Sequence, residues 1–288
     1  MPGKIWFITG ASSGFGRLMT EIALKNGDSA IATLRKPEVL ADLVSQHSAD
    51  NLLVLKLDVT HPQQIKDAFS EAIKKFGRVD IVFNNAGYSM VGEIEGAPED
   101  AARAVFDVNL WGAVNVSKEA VRIFRDVNKP AGGTLLQISS IAGIEAYPAV
   151  GYYSASKYAL EGISTALAAE LDPEWNIKVV LVEPGNFATP VLNNLVRTPP
   201  HPAYTKPTLP SAMVRDMIKG GPIGAEADTV KAVAIMYQIA QLPDPPLHFA
   251  VGKDAIQGVK VKAEKLLADT GRFASWSDAL SSEVQLVV

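Results

Sequence analysis

The stretch "KIWFITGASSGFGRLMTEIALKNG", residues 4–27, runs from an apolar segment through a glycine-rich turn into a helical pattern. Its first six residues read as a strand, because continuous apolar runs suit strands covered on both faces. Gly10, Gly14 and Gly16 follow. Glycine permits a tight turn and lets the backbone approach a ligand closely. The helix behind the turn then offers free N–H groups and the positive end of its dipole, which suits a pyrophosphate. The spacing is G-x-x-x-G-x-G rather than the common G-x-G-x-x-G fingerprint. A glycine triplet alone also fits a plain strand–helix junction; the strand before and the helix after favour a dinucleotide site.

The same alternation continues outward. Apolar runs recur at 29–34, 52–57, 79–84, 133–139, 177–183 and 247–251. Helical patterns lie between them, including 62–77 and a long stretch at 98–126. Pro37 and Pro62 stand at first-turn positions, and Gly27 and Gly77 at helix ends. Strand–helix alternation over this length predicts an α/β fold: a doubly wound, Rossmann-type, parallel seven-stranded sheet with helices on both faces. Two segments break the pattern. A proline-rich stretch at about 186–224 reads as a lid, and a tail follows at about 253–288. Without repeats or a low-complexity linker, residues 1–288 read as one domain.

Composition narrows the function classes. A formal net charge of −4 gives no reason to expect nucleic acid or an anionic membrane as the partner. The chain has no cysteine, which removes disulfides, thiol catalysis and Cys-ligated zinc. The four histidines (His47, His61, His201, His248) show no metal-ligand spacing, so no metal site is expected. No apolar run approaches the roughly 18–20 residues of a membrane span. The opening residues read as a strand rather than a signal, and a cytoplasmic location is the default.

The second strand bears on the cofactor. An acid at its end would bind a ribose 2′-hydroxyl, whereas an arginine accommodates a 2′-phosphate. Here it ends in Thr33 and Leu34, followed by Arg35 and Lys36. The planar guanidinium suits phosphate geometry. Both cations could instead be a solvated helix start, but there they meet the wrong end of the dipole. NADP(H) is therefore expected over NAD(H).

A helix is predicted at 152–171. Residues four apart on a helix are separated by about 40°, so Tyr153 and Lys157 share a face. Tyr152 lies about 140° and Tyr158 about 100° from the lysine. A neighbouring ammonium lowers a phenol's pKa, and such a pair can exchange a proton with an alcohol or carbonyl oxygen. Taken alone, the same pair also reads as a packed ring beside a snorkelling amine.

The motifs together resemble the single-domain short-chain dehydrogenase/reductase family from residue 4 to about 251. "TGASSGFG" (9–16), "LDVT" (57–60), "NNAG" (84–87), Asn109 in "NLWG", "ISSIAG" (138–143), "YSASK" (153–157) and "EPGNFAT" (183–189) occur in the family's order and spacing. The wording looks most like NADP-preferring members acting on steroids, retinoids and other hydrophobic ketones. The resemblance implies that Tyr153 is the acid/base, Lys157 lowers its pKa and holds the nicotinamide ribose, Ser140 polarises the substrate oxygen, and Asn109 seats a water. Ser139 is the alternative serine, but Ser140 stands thirteen residues before Tyr153, as in the family. The cofactor set so implied comprises Gly10, Ser12, Ser13, Gly14, Phe15, Gly16, Arg35, Asp58, Val59, Asn85, Ala86, Gly87, Tyr153, Lys157, Pro184, Gly185 and Thr189. Substrate contacts are expected from Ile141, Tyr147, Phe187 and Leu192. The implied activity is NADP(H)-dependent interconversion of a hydrophobic carbonyl compound and its alcohol, in a homodimer or homotetramer. An epimerase or dehydratase using the same pair, or a non-catalytic NADPH-binding sensor, are the alternatives.

Overall fold

The computed structural model describes residues 3–187, 195–219 and 228–280. The strands are β1 (Ile5–Thr9), β2 (Ser29–Leu34), β3 (Leu52–Lys56), β4 (Ile81–Asn84), β5 (Met90–Val91), β6 (Gly133–Ile138), β7 (Ile177–Pro184), β8 (Val196–Arg197) and β9 (His248–Val251). Seven of them form one sheet in the order β3-β2-β1-β4-β6-β7-β9, and every pair in it is parallel. These seven are the seven apolar runs of the sequence. The strand order reverses between β1 and β4, which is the switch point of a doubly wound sheet.

The helices are α1 (Gly14–Lys25), α2 (Ala41–Gln46), α3 (Pro62–Phe76), α4 (Glu99–Phe106), α5 (Ala113–Arg122), α6 (Gly151–Glu170), α7 (Pro210–Lys219), α8 (Thr229–Ile239) and α9 (Lys253–Phe273). Alternation along β1 shows why both faces are covered. Trp6 and Ile8 enter a core with Met19 of α1 and Met236 of α8. Phe7 points the other way and stacks on Phe69 of α3, ring centroids 3.9 Å apart, in a core shared with Val116 of α5. Buried Asp28 ties α8 to the sheet. It accepts from Trp6 Nε1 at 2.9 Å and Tyr237 Oη at 2.7 Å.

The expected helix over 98–126 is not uniform. Wide, π-type turns occupy Asp107–Gly112 and Ile123–Val127, on either side of α5. Such turns insert an extra residue into the helical ladder and tend to occur at functional sites. Asn109 lies in the first. Among the described residues, no helix is long and apolar enough to cross a membrane.

The segment expected as a lid is partly built into the fold. Val196 N donates to Ser89 O and Thr198 N to Val91 O, so β8 pairs with β5 as a second, two-stranded sheet. Arg215 of α7 closes the arrangement. Its fork donates to both Glu93 oxygens at 2.7 and 2.6 Å, and Nη1 donates to Thr198 O at 2.8 Å. Arg215 and Glu93 are both buried. The Arg215 hydrogen bonds bring the Glu93 carboxyl down to about 2. A depressed carboxyl stabilises the fold above its ordinary pKa of 4.5, so this latch is intact at neutral pH and lost only as pH falls from there toward 2. Arg215→Met would leave Glu93 buried without its partner, at a cost of about 3–5 kcal/mol. We expect protease cleavage within 195–219 to accelerate sharply in this variant; an unchanged cleavage rate would mean that the segment is held by something else.

Candidate active site

Because the strands are parallel, their carboxyl ends emerge together, and the sequence motifs that follow them become neighbours. Thr9 at the end of β1 joins two of these motifs. Its hydroxyl accepts from the backbone N–H groups of Asn85 and Ala86, each at 2.9 Å. Asn85 Nδ2 returns a bond to Thr9 O at 3.0 Å. The glycine turn therefore lies against Asn85–Gly87, with the Asn85 amide filling the space beside Gly10 and Gly16. Gly10 has φ +67°, and a Cβ there would come within 3.0 Å of Ala86 Cα; a Cβ on Gly16 would be 2.3 Å from Gly10 O.

The N-terminus of α1 has no side-chain cap from Ser13 and no acid in its first turn. Its N–H groups and dipole are thus available to an anion. Arg35 stands exposed just past β2, with no hydrogen bond or salt bridge among the described residues. Asp58 follows β3. Its carboxyl sits below the ordinary value, because bonds from Thr60 outweigh the effect of burial. Val59 is buried beneath Gly112, whose missing Cβ would stand 2.7 Å from Val59 Cγ2. A glycine cradle, an uncapped helix end and a free guanidinium together fit a nicotinamide dinucleotide. Ser12, Gly14 and Phe15 complete the cradle, with Phe15 edge-on to Phe187 at 5.6 Å.

Three of the four residues expected to carry the chemistry lie on α6 and at the end of β6. Lys157 is buried, donates from Nζ to Ile138 O at 2.7 Å, and sits 5.9 Å from the centroid of the Tyr153 ring. Burial lowers its pKa to about 8, against the opposing influence of Glu161. Burial also raises the Tyr153 phenol, and a hydrogen bond from Ser140 pulls it back down. In this arrangement burial outweighs the Ser140 bond, and the Lys157 ammonium lies over the phenol ring at 5.9 Å from its centroid. Ser140 extends from the end of β6, where its Oγ accepts from Ala142 N at 3.1 Å. Ser139 does not meet Tyr153; it lies beside Glu161, two turns further along α6.

Asn109 is buried in its wide turn. Its Oδ1 accepts from Tyr88 N at 3.0 Å, and its Nδ2 donates to Tyr88 O and Ser156 Oγ. A Cβ on Gly87 would be 3.0 Å from Asn109 Oδ1 and 3.6 Å from Lys157 Nζ, so all three converge. The neighbouring tyrosines are occupied elsewhere. Tyr152 donates to Ile94 O at 3.5 Å and Tyr158 to Ile144 O.

The expected substrate positions divide. Tyr147 is exposed, whereas Ile141 is buried beneath α9, where Gly258 makes room for it. Phe187 packs on the glycine turn. Pro184 and Gly185 lie at the end of β7, where Asn186 N donates to Asp254 Oδ2 of α9 at 2.7 Å. Thr189 and Leu192 lie outside the described residues, as do residues 188–194 and 220–224 of the expected lid and 281–288 of the expected tail.

Sequence reasoning missed two groups here. One is the Glu93–Arg215 latch. The other is Glu161, Glu183 and His248, drawn together from α6, β7 and β9. Burial raises the Glu161 carboxyl to about 7; Glu183 adds to this, while the nearby Ser139 hydroxyl opposes it. No local spacing signals either group, because every partner is distant in the chain.

Comparison with known proteins agrees with this fold. The family model described as short chain dehydrogenase matches residues 4–200. An uncharacterized oxidoreductase, C162.03 of Schizosaccharomyces pombe, is 37% identical over 96% of this chain and 90% of its own length. A 3-ketodihydrosphingosine reductase of Bacteroides thetaiotaomicron is 37% identical over 67% of this chain and 68% of its own. A crystallised short-chain dehydrogenase from Streptomyces avermitilis superposes with a TM-score of 0.87 at 31% identity, covering 97% of this chain and 100% of that one. The chain belongs to the short-chain dehydrogenase/reductase family of nicotinamide-dependent oxidoreductases.

Proposed function

We propose that this protein interconverts a ketone or aldehyde and its alcohol on a sizeable hydrophobic substrate, using NADP(H). The observation that carries the reading is the assembly of Ser140, Tyr153 and Lys157 beside an uncapped helix end. The dinucleotide, when bound, supplies or accepts the hydride. The protein supplies position and protons. The α1 N-terminus and the glycine turn hold phosphate, and Gly10, Gly14 and Gly16 keep the cradle clear of side chains.

In the reducing direction, Tyr153 Oη protonates the oxygen of the carbonyl as it becomes an alkoxide. The Ser140 hydroxyl donates a hydrogen bond to the same oxygen. Lys157 is held rigid by its bond to Ile138 O, and its ammonium form prevails below about pH 8. Asn109 is a positioning residue, fixing the loop at Tyr88 against α6 through Ser156.

Arg35 supports NADP(H) over NAD(H), since its free guanidinium stands where an acid would otherwise receive a ribose hydroxyl. A hydrophobic substrate is supported by Phe187, which packs on the glycine turn, and by the exposed ring of Tyr147. The Bacteroides relative is a 3-ketodihydrosphingosine reductase, and ketone reduction on a long-chain lipid is of the same chemical class.

Three measurements test this reading. NADPH absorbance should fall on incubation with members of a panel of hydrophobic ketones; tight NADPH binding without turnover of any of them would sink the proposal. Tyr153→Phe should lower kcat by about 10²–10⁴-fold while leaving the NADPH Kd nearly unchanged. Retained turnover would assign the proton transfer to another group. Arg35→Asp should weaken NADPH binding by roughly 100-fold, the loss of about 3 kcal/mol of charge-assisted hydrogen bonding, and leave NADH binding unchanged or improved. An unaltered NADPH-to-NADH ratio would remove Arg35 from the phosphate site.

A further inference from the structure

Glu161, Glu183 and His248 form a corner for which the proposed reaction has no use. One acceptor or donor atom from each lies within 4.8 Å of the others. His248 Nδ1 is 2.8 Å from Glu183 Oε1 and 3.5 Å from Glu161 Oε2. The two carboxyls are buried, with Glu183 2% and Glu161 7% exposed. Neither Glu161 oxygen has a hydrogen-bond partner among the described residues.

A second observation points into the same corner. Ser139 is 3% exposed, and its Oγ has no well-formed hydrogen bond among the described residues; the polar group within its reach is the equally unsatisfied Glu161 carboxyl. It stands beside the Glu161 carboxyl, since a Cβ on Gly143 would meet Ser139 Oγ at 2.8 Å and Glu161 Cγ at 3.1 Å. Buried polar atoms in native proteins are nearly always bonded, to protein, water or an ion. Here unbonded oxygens and a half-exposed imidazole share one small volume.

We propose that Glu161, Glu183 and His248 bind a divalent transition-metal ion of the zinc class, with solvent or Ser139 Oγ completing the shell. Two carboxylates and one imidazole are an established donor chemistry for such ions. Tetrahedral ligand atoms at about 2.0–2.2 Å from zinc lie roughly 3.4 Å apart; the 3.5 Å spacing of His248 and Glu161 matches this, and the 2.8 Å contact of His248 with Glu183 would open slightly to admit the ion. The ion would offset the mutual repulsion of two desolvated carboxylates. The exposed His248 gives it an entry path. Because the ligands come from α6, β7 and β9, the bound ion would clamp that helix to the sheet edge. Glu161 is one turn beyond Lys157, so the clamp would lie behind the proposed catalytic pair without touching it. The assignment is independent of the proposed oxidoreductase reaction.

The test uses tag-free, chelator-treated full-length protein without cofactor. Titration with Co²⁺ as a spectroscopic probe at pH 8 should saturate at one ion per chain, with the visible absorption of a tetrahedral nitrogen/oxygen site. Zn²⁺ should compete for it and raise the Tm. His248→Ala and Glu161→Gln should each weaken binding by more than about 100-fold, beyond the 10–100-fold typical of groups that only orient a ligand. The metal-free Tm of His248→Ala reports whether that chain remains folded; its ligand is half exposed, so the fold should persist. Absence of saturable binding to the wild-type chain overturns the assignment. So does binding that survives either substitution.

Discussion

Parallel strand pairing is the constraint on which the rest of the structure depends. It forces every connection to cross over the sheet, so helices must cover both faces. It also delivers every strand's carboxyl end to one edge. The reversal of order between β1 and β4 sends neighbouring connections to opposite faces and leaves a cleft between them. The glycine turn, Asn85–Gly87, Ser140 and Pro184–Gly185 are neighbours for that reason alone. The Thr9 hydroxyl then locks the first two of these motifs together.

The inward face of α6 poses the main energetic problem. Its buried residues include Ser154, Ser156, Lys157, Glu161 and Ser164, rather than an aliphatic stripe alone. Burying an ammonium is costly unless it is bonded. Lys157 is satisfied by Ile138 O, Ser156 by Asn109 and Ser164 by Gln137. Gln137 in turn bonds Ser117 and accepts from Asn84. This network holds α6 in one register on β6, which fixes Tyr153 opposite Ser140. The bonding stops at Ser154 on the same face and at Ser139 and Glu161, where the interior carries polar atoms that the described fold does not use.

Much of this was legible in the chain. The seven apolar runs became the seven paired strands, because a strand buried on both faces has to be apolar along its length. The 3.6-residue period put Tyr153 and Lys157 on one face, and the structure keeps them there. The wide turn around Asn109 was not legible. It replaces one helical geometry with another of nearly equal local propensity, and the bonds to Tyr88 and Ser156 decide between them. The β5–β8 pair was equally hidden, since two-residue strands carry no period.

The sequence by itself determined the element order, the parallel sheet, the glycine turn and the face shared by Tyr153 and Lys157. Each of these follows from local pattern, chain connectivity or residue chemistry. Only the tertiary structure decided the electrostatics. Burial pulls Lys157 down to about 8 and pushes the Tyr153 phenol up, because desolvation depends on everything packed around a group. Tertiary packing also decided which distant charges meet. Glu93 finds Arg215 across 122 positions, and Glu161 meets Glu183 and His248, because sheet order and helix packing set those distances, not spacing along the chain.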